Sequence, residues 1–196
     1  ETCNELERLI SMIQEKNTEI NLISREIYEK EQIRERHIID SAQIIDFIDL
    51  NSDTTTDLGS GAGMPGIIVA IMLKNLKNNM RVHLYEKSYH KSNFLREVSK
   101  KLNLKTEIYQ KNIFETKNLK TGTIMSRAFK PIPVVLDLVY ENFLKYKNLI
   151  FFMGKSGKKI FKKSKDDWNL EYIEKKSVTS EDSFILNIKK IKKKVS

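Results

Sequence analysis

Positions 57–66 read Asp-Leu-Gly-Ser-Gly-Ala-Gly-Met-Pro-Gly, and this stretch decides the fold of the chain. It follows the β-branched run 54–56, which predicts the end of a strand, and it leads into the apolar run 67–73, which predicts a buried helix. A strand, a glycine-rich turn and a helix form the context in which such a turn binds a nucleotide-like ligand. Glycine-rich turns also simply connect elements, but the acid that opens this one favours a binding site.

The glycines allow positive φ and bring bare backbone amides close to a ligand, and Pro65 suits the first helical turn, where its missing N–H is not needed. A second acid, Glu86, ends the next predicted strand, 20 residues after Gly66. An acid at this place can bind both hydroxyls of a ribose, and the alternative is a surface carboxylate beside Lys87. Asp57, the glycines and Glu86 together indicate a ligand that contains a nucleoside, without saying which one.

Positions 61–66 also satisfy the loose G-x-G-x-x-G pattern of dinucleotide sites, which alone is a weak signal. The 196 residues suit one domain with a real core, so no second domain remains to hold the substrate of a dehydrogenase. The 35 Lys and Arg against 26 Asp and Glu give a net charge of +9, which is unexpected for such an enzyme. This charge favours a polyanionic partner, first of all nucleic acid, with composition drift as the alternative.

The composition, with 40% hydrophobic and 31% charged residues, is that of a soluble globular protein. The longest apolar run is too short to span a bilayer, and the acidic amino terminus has no signal-peptide pattern. The single cysteine, Cys3, allows no intrachain disulfide or cysteine metal cluster, and His83 and His90 lack a metal-binding spacing. We therefore expect a cytoplasmic protein with no metal and no membrane partner. Because the chain opens with Glu1 instead of methionine, we expect its native start to be missing.

We predict a single domain in which residues 1–50 form a helical lead-in and residues 51–196 form a Rossmann-like α/β core. In the lead-in, apolar spacing predicts a helix over about 4–16, a turn at 21–24 and a second helical region over 33–48. In the core, strands alternate with helices, which is typical of a parallel sheet. After the first strand, the pattern predicts strands at 81–86, 106–109, 123–126 and 149–153, intervening helices, and a late antiparallel hairpin at about 170–178 and 183–188.

Four segments together resemble the ribosomal RNA small subunit methyltransferase G family, once called glucose-inhibited division protein B. Residues 57–67 look like its motif I, which alone indicates only an S-adenosylmethionine-dependent methyltransferase. Three more segments, in the family's order and approximate spacing, narrow the resemblance: Asn21-Leu22-Ile23-Ser24, Arg36-His37-Ile38-Ile39-Asp40-Ser41 and Ser126-Arg127-Ala128-Phe129. The resemblance covers residues from about 5 to 190.

This resemblance implies an α/β fold of the class I S-adenosylmethionine-dependent methyltransferases, Rossmann-like with a seven-stranded sheet, and an N-terminal helical extension. It implies S-adenosylmethionine as cofactor and N7 of one guanine in the 530 loop of 16S ribosomal RNA as methyl acceptor. The implied partner is therefore the small ribosomal subunit, and we expect the enzyme to be a monomer. The alternatives are methylation of another RNA base, or a basic RNA-binding protein that keeps the fold without turnover.

Carried over by motif position, the implied cofactor-binding residues are Asp57, Gly59, Gly61, Met64, Glu86, Ile113, Phe114 and Arg127. Gly59 and Met64 contact the cofactor and Glu86 its ribose, while Ile113 and Phe114 flank the adenine. The candidate RNA contacts are Asn21, Arg36, His37 and Lys155. Where the family has a Lys-Gly pair, this chain has Gly154-Lys155, which leaves any specific role of Lys155 open. Where the family has a Lys-Arg pair, this chain has His90-Lys91, which leaves one phosphate contact open.

Arg127 is the catalytic candidate, because a guanidinium can orient the guanine or a phosphate through two parallel hydrogen bonds; an ordinary salt bridge is the alternative. Guanine N7 offers a free lone pair, so no general base is expected and catalysis is mostly alignment. Arg36, His37 and Asp40 fall on one helix face, either near the RNA entrance or cofactor pocket or in a structural network that joins lead-in to sheet. We expect Trp168 in the core, and the lysines of 189–194 either on ribosomal phosphates or in a frayed tail.

Overall fold

A computed structural model describes residues 1–24, 26–27 and 29–194. Its strands are β1 (Thr54–Leu58), β2 (Arg81–Tyr85), β3 (Thr106–Tyr109), β4 (Leu119–Lys120), β5 (Thr123–Ser126), β6 (Phe143–Lys145), β7 (Asn148–Met153), β8 (Trp168–Lys176) and β9 (Phe184–Lys193). Within the described chain, seven of them form one sheet in the order β3-β2-β1-β5-β7-β9-β8. The strands from β3 to β7 in this order are parallel, and β9 is antiparallel to both β7 and β8. The predicted seven-stranded α/β fold is therefore confirmed.

The helices are α1 (Thr2–Asn17), α2 (Lys30–Ile33), α3 (Asp40–Ala42), α4 (Gly66–Asn75), α5 (Tyr89–Lys101), α6 (Ile132–Asn142) and α7 (Lys155–Asp167). Between α2 and α3, residues Arg34–Ile39 continue the helix with π-helical hydrogen bonding. Single 3₁₀ turns cover Ile45–Phe47 and Ile113–Glu115. Pro65 is the residue just before α4 and not part of its first turn, so that Gly66 begins the helix.

The sheet separates two hydrophobic clusters, because neighbouring residues of a strand point to opposite faces. On β5, Ile124 belongs to the cluster under α6 and Met125 to the cluster under α4 and α5. Helix α4 is buried almost all round, as the apolar run 67–73 predicts. Trp168 lies in the first of these clusters, as expected.

The helical lead-in packs against α4 and α5 through α1, whose Leu9, Ile10 and Ile13 are fully buried. The buried Glu5 carboxylate accepts hydrogen bonds from Lys74 Nζ at 2.5 Å and Asn75 Nδ2 at 2.7 Å. Because these partners lie in α4, the lead-in is fixed directly against the helix that follows the glycine-rich turn.

Beyond the position of Pro65, the structure differs from the predicted elements in two places. The lysines within 189–193 lie in β9, and Lys190, Lys192 and Lys193 are paired with β8, so they are not part of a frayed tail. The short parallel pair β4 and β6 was not predicted, because two or three residues are too few to show an alternating pattern.

None of the helices in the ranges given above is long and apolar enough to cross a bilayer. In the part of the chain that the structure describes, no group of three or more His, Cys, Asp or Glu side chains is placed to hold a metal ion.

Candidate active site

A cavity of about 500 Å³ opens where β1, β2, β3 and β5 end. Ligands of open α/β sheets bind at this carboxyl edge. Of the residues implied by the resemblance, the cavity is lined by Gly59, Gly61, Met64, Glu86, Ile113, Arg127 and His37. Residues from five separate parts of the chain therefore meet around one space.

The glycine-rich turn forms the first wall of the cavity. Gly59, Gly61 and Gly63 have φ values of +69°, +56° and +91°, a region that favours glycine. A Cβ on Gly59 would also lie 2.2 Å from the Phe129 ring, and one on Gly63 would lie 2.4 Å from Ile67 Cγ1. Glycine is therefore required at these two positions both by backbone conformation and by space.

Asp57 holds this turn from below and does not line the cavity. Its Oδ2 accepts a hydrogen bond from the Gly66 N–H at 3.1 Å, which ties the end of β1 to the start of α4. Burial raises the pKa of this carboxyl to about 7, against the opposing effects of the Gly66 N–H and the Arg127 charge. The acid that opens the motif is thus an anchor for the backbone of the turn.

Glu86 follows β2 and fixes the turn from the side. One carboxylate oxygen accepts from the Gly61 N–H at 3.0 Å and the other from the Ser88 N–H at 2.8 Å. Glu86 is 9% exposed and lines the cavity, so the remaining acceptor capacity of its oxygens is available to a ligand there.

The turn after β3 forms the next part of the wall. Ile113 lines the cavity and is buried, whereas Phe114 lies behind it with its ring 6.1 Å from the ring of Phe129. Asn142 of α6 donates to the carbonyls of Ile113 at 3.3 Å and Phe114 at 3.1 Å. This buried amide holds the turn in place, a role that no local sequence signal indicates.

Arg127 follows β5 and closes the opposite wall. Its Nη2 lies 3.1 Å from Asp40 Oδ2 and donates to the Arg36 carbonyl at 2.7 Å, and its Nη1 lies 3.2 Å from His37 Nδ1. The side chain is 17% exposed, and its Cζ lies 5.6 Å from the centre of the Phe152 ring. The structure thus contains the salt bridge that was the alternative for Arg127, at the edge of the cavity.

Asp40 joins three parts of the chain at this wall. While Oδ2 faces Arg127, Oδ1 accepts from the Thr179 hydroxyl at 2.9 Å, Gln43 Nε2 at 2.9 Å and the Ser177 hydroxyl at 3.3 Å. The structural network that was one alternative for this helix face is present, and it reaches the loop between β8 and β9 as well as the residue after β5.

His37 is neutral in this network. Burial and the neighbouring Arg127 charge lower its pKa to about 4, although Asp40 opposes the shift. Since a guanidinium only donates, His37 Nδ1 accepts and the proton lies on Nε2, which is buried with no hydrogen-bond partner among the described residues.

The turn at 21–24 reaches the cavity through its apolar residues. Leu22 and Ile23 line the cavity, and their N–H groups donate to Asn17 Oδ1 at 2.8 Å and 3.0 Å. Asn21 is exposed and does not line it. Asn17, at the end of α1, is a further positioning residue that the sequence reasoning missed.

Three of the RNA and cofactor candidates also lie outside the cavity lining: Phe114, Arg36 and Lys155. Arg36 contributes its backbone carbonyl to Arg127. The Lys155 side chain is 84% exposed at the start of α7, with Nζ 3.9 Å from Asp182 Oδ2.

Four lysines surround the mouth of the cavity: Lys87, Lys91, Lys111 and Lys130. None of them forms an ion pair with an acid in the part of the chain that the structure describes. We call these four residues the lysine rim. The sequence reasoning considered only Lys91, but Lys87, Lys111 and Lys130 each follow a strand end within four residues, a signal that identifies them.

The cavity fits the cofactor that the resemblance implies. The glycine turn offers close backbone approach, Glu86 offers carboxylate oxygens for hydroxyl donors, and Ile113 and Met64 offer an apolar surface. Because a Cβ at Gly59 would collide with the Phe129 ring, the wall at this position requires a residue without a side chain.

Comparison with known proteins agrees with this geometry. A family model described as rRNA small subunit methyltransferase G matches residues 2–188. The chain is 62% identical to the Ribosomal RNA small subunit methyltransferase G of Pelagibacter ubique over 194 residues, covering 99% of this chain and 91% of the relative. It is 30% identical over 178 residues to the protein of the same name from Dinoroseobacter shibae, covering 90% of each.

Solved structures show the same fold at low sequence identity. The M. capricolum TrmK complex with S-adenosyl-homocysteine has a TM-score of 0.56 and 16% identity, covering 76% of this chain and 66% of that one. A SAM-dependent methyltransferase from Aquifex aeolicus has a TM-score of 0.59 and 12% identity, covering 80% and 92%. With the family match over nearly its whole length, the chain belongs to the rRNA small subunit methyltransferase G family.

Proposed function

We propose that this protein transfers the methyl group of S-adenosylmethionine to N7 of a guanine in the 530 loop of 16S ribosomal RNA, in the cytoplasm. Membership of the family supplies the reaction class, an S-adenosylmethionine-dependent ribosomal RNA methyltransferase. The observation that carries the proposal onto this structure is the lysine rim around the cavity.

The lysine rim supports an anionic acceptor. When bound, the cofactor supplies a methyl group on a positively charged sulfonium, and four lysines at the mouth do not attract a cation. Phosphates of a nucleic acid are the natural counterparts, because each contact releases a condensed counterion. A rim of this charge therefore selects a polyanion over a neutral small molecule.

The chain's own residues hold the cofactor in the wall opposite Arg127. Gly59, Gly61 and Met64 present the turn, and Asp57 keeps that turn in place through the Gly66 N–H. Glu86 would accept hydrogen bonds from ribose hydroxyls. Ile113, with Phe114 behind it, would lie against the adenine.

Arg127 orients the acceptor. Three contacts use N–H groups of Nη1 and Nη2, and Nε has no hydrogen-bond partner among the described residues. A guanidinium has five donors, so two remain for the guanine or a neighbouring phosphate. Asp40 and the Arg36 carbonyl fix the plane of the group, which makes those two donors directional.

No residue needs to remove a proton in this reaction, since N7 of guanine carries a free lone pair. The work of the protein is alignment of N7 with the methyl group, an effect that supplies up to about 7–11 kcal/mol in well-oriented systems. The neutral His37 is consistent with this, because it supports Arg127 through Nδ1 and adds no charge to the wall.

The proposal is tested by methyl transfer to small subunits from a strain that lacks this enzyme, using tritium-labelled cofactor and mass spectrometry of nuclease fragments. We expect one methyl group per 16S ribosomal RNA, at N7 of one guanine of the 530 loop. A methyl group at another base or atom would overturn the acceptor assignment. Cofactor binding without any transfer would instead favour an RNA-binding protein without turnover.

The rim is tested separately with the double variant Lys87→Gln/Lys130→Gln. We expect the KM for subunits to rise about 10-fold while the Kd for the cofactor stays within twofold, since each lost phosphate contact weakens binding independently of the base. The matched control is Lys77→Gln/Lys105→Gln, which removes the same charge from exposed residues next to the opposite ends of the strands.

A further inference from the structure

Helix α7 presents five lysines on one face. Lys155, Lys158, Lys159, Lys162 and Lys163 are all exposed, and at 100° per residue they fall within an arc of about 140°. The opposite face buries Gly157, Phe161 and Ser164 against the sheet. We call Lys158, Lys159, Lys162 and Lys163 the α7 lysine face.

The charge of this face is not compensated within the described chain. Lys159, Lys162 and Lys163 form no ion pair there, and Lys158 Nζ lies 5.1 Å from the centre of the Phe184 ring. Lysines four apart repel each other on a helix, and lysines near a helix N-terminus oppose the macrodipole. Folding therefore does not favour this arrangement.

Three lysines near the C-terminal end, Lys189, Lys193 and Lys194, provide a contrast. Lys189 Nζ contacts Asn148 Oδ1 at 2.5 Å, Lys193 Nζ pairs with Asp137 at 3.1 Å, and Lys194 Nζ donates to the Lys165 carbonyl at 2.7 Å. The Nζ atoms of these exposed lysines have partners in the protein, whereas Lys159, Lys162 and Lys163 have no ion-pair partner among the described residues.

Helix α7 begins at the same edge as the active-site cavity. It follows β7, which is parallel to β5, so its first turn lies beside the carboxyl ends of the strands. A second cavity of about 250 Å³ reaches Gly154, and it shares Arg127 and Ala128 with the first. From this edge the 13 residues of α7 extend about 20 Å away.

We propose that the α7 lysine face binds the phosphate backbone of ribosomal RNA outside the segment that enters the active site. This rests on the proposed function, since it takes ribosomal RNA as the substrate. Lysines act as point charges on flexible stems, so the contact is insensitive to base sequence. Its effect is on affinity for large substrates and not on the methyl-transfer step.

The test compares Lys158→Gln/Lys159→Gln/Lys162→Gln/Lys163→Gln with the wild-type protein and with Lys77→Gln/Lys100→Gln/Lys101→Gln/Lys105→Gln. The control removes equal charge from exposed lysines near the other edge of the sheet. Binding to protein-free 16S ribosomal RNA and to small subunits is measured against salt concentration. For the α7 variant we expect the salt slope to decrease by about 3, or roughly 0.7–0.9 per lost phosphate contact.

We also expect the KM for subunits to rise at least 10-fold in the α7 variant, with kcat, cofactor Kd and thermal midpoint unchanged. A salt slope equal to that of the wild-type protein, or an equal loss in the control variant, overturns the proposal. A loss of binding to subunits but not to protein-free RNA also overturns it, because the partner is then a ribosomal protein. If the wild-type protein methylates no ribosomal RNA, the proposed function itself fails.

Discussion

The two walls of the active-site cavity are built in different ways. In the wall of residues 57–66, Asp57 accepts a hydrogen bond from the Gly66 N–H and Glu86 accepts one from the Gly61 N–H. Both bonds lie at the ends of two adjacent strands. The Arg127 wall is closed by residues 90 and 91 positions away in the chain, at His37 and Arg36. The first wall follows from strand order and glycine, and the second depends on the lead-in docking correctly. Their separate perturbation should therefore affect cofactor binding and methyl transfer differently.

The largest effect is expected for Gly59→Ala in the first wall. Its Cβ would lie 2.2 Å from the Phe129 ring on a residue with φ of +69°, so the turn must shift. We expect a loss of at least 100-fold in cofactor affinity by isothermal titration and a loss of about 1–3 kcal/mol in stability.

The matched control is Gly154→Ala, where a Cβ meets nothing within 4 Å. Its cofactor affinity should equal that of the wild-type protein. Equal losses in both variants would show that the first wall has no special need for glycine.

Arg127→Ala should remove the contacts of the second wall and leave those of the first wall in place. We expect kcat to fall about 100-fold, with the cofactor Kd changed less than threefold, since Asp57, Gly59 and Glu86 keep their contacts. Removal of one partner of the Arg127–Asp40 pair, whose side chains are 17% and 16% exposed, should also cost about 2–4 kcal/mol in stability.

Arg127→Lys keeps the charge but not the planar fork, so it should restore stability in part and activity little. Its rate on small subunits, measured beside that of Arg127→Ala, decides whether directional hydrogen bonds matter. Full activity in the lysine variant would reduce the role of Arg127 to that of a charge.

Asp40→Asn should have a smaller effect, because an amide oxygen can still accept from Thr179 and Ser177 while the charge opposite Arg127 is lost. We expect kcat to fall about 10-fold and stability by about 1–2 kcal/mol. Asp46→Asn is the control, since the Asp46–Lys175 pair is exposed at 3.4 Å and a surface pair contributes about 0–1 kcal/mol. Equal effects in the two variants would remove Asp40 from the second wall.

The last expected effect is a pH dependence of stability carried by His37. Because burial and the Arg127 charge lower its pKa from 6.5 to about 4, the unfolded chain binds a proton at pH 5 that the folded chain does not. The contribution of His37 to the free energy of unfolding should therefore rise with pH between about 4 and 6.5.

His37→Asn should lose this dependence, by roughly 2 kcal/mol across the window after allowance for partial exposure of the ring. Urea unfolding at several pH values measures the difference between the two proteins. The raised pKa of Asp57 has the opposite sign, since stability from its protonated form is lost as pH rises towards about 7. The Asp57 effect is present in both proteins, so the difference between their curves is due to His37. Identical curves of unfolding free energy against pH would contradict a neutral, buried His37 ring.

The first wall could be predicted from sequence because its parts are local or follow from parallel-sheet geometry. Gly59, Gly61 and Glu86 end adjacent parallel strands, and such ends meet at one edge. The bounds predicted for β3 and β5 agree with the structure, since each strand is bounded by polar or turn-forming residues. The lysine rim follows the same rule, although only Lys91 was considered.

The second wall could not be predicted in this way. From the sequence alone, Arg127 had two alternative roles, orientation of the guanine or a phosphate and an ordinary salt bridge. Which residues it contacts depends on how the lead-in packs against α4. Asn142 likewise supports the cavity through contacts with a turn that lies 28 and 29 positions away in the chain.

The α/β sheet, the edge at which the cavity opens and the excess of positive charge follow from the amino-acid sequence, because periodicity, glycine and composition act along the chain. Which lysines face solvent and what Arg127 contacts depend on the folded structure. Lys193 has an acid partner and Lys162 has none in the described residues, although both lie in lysine-rich segments. A partner is decided by the packing of distant elements, and this information is not contained in the spacing of nearby residues.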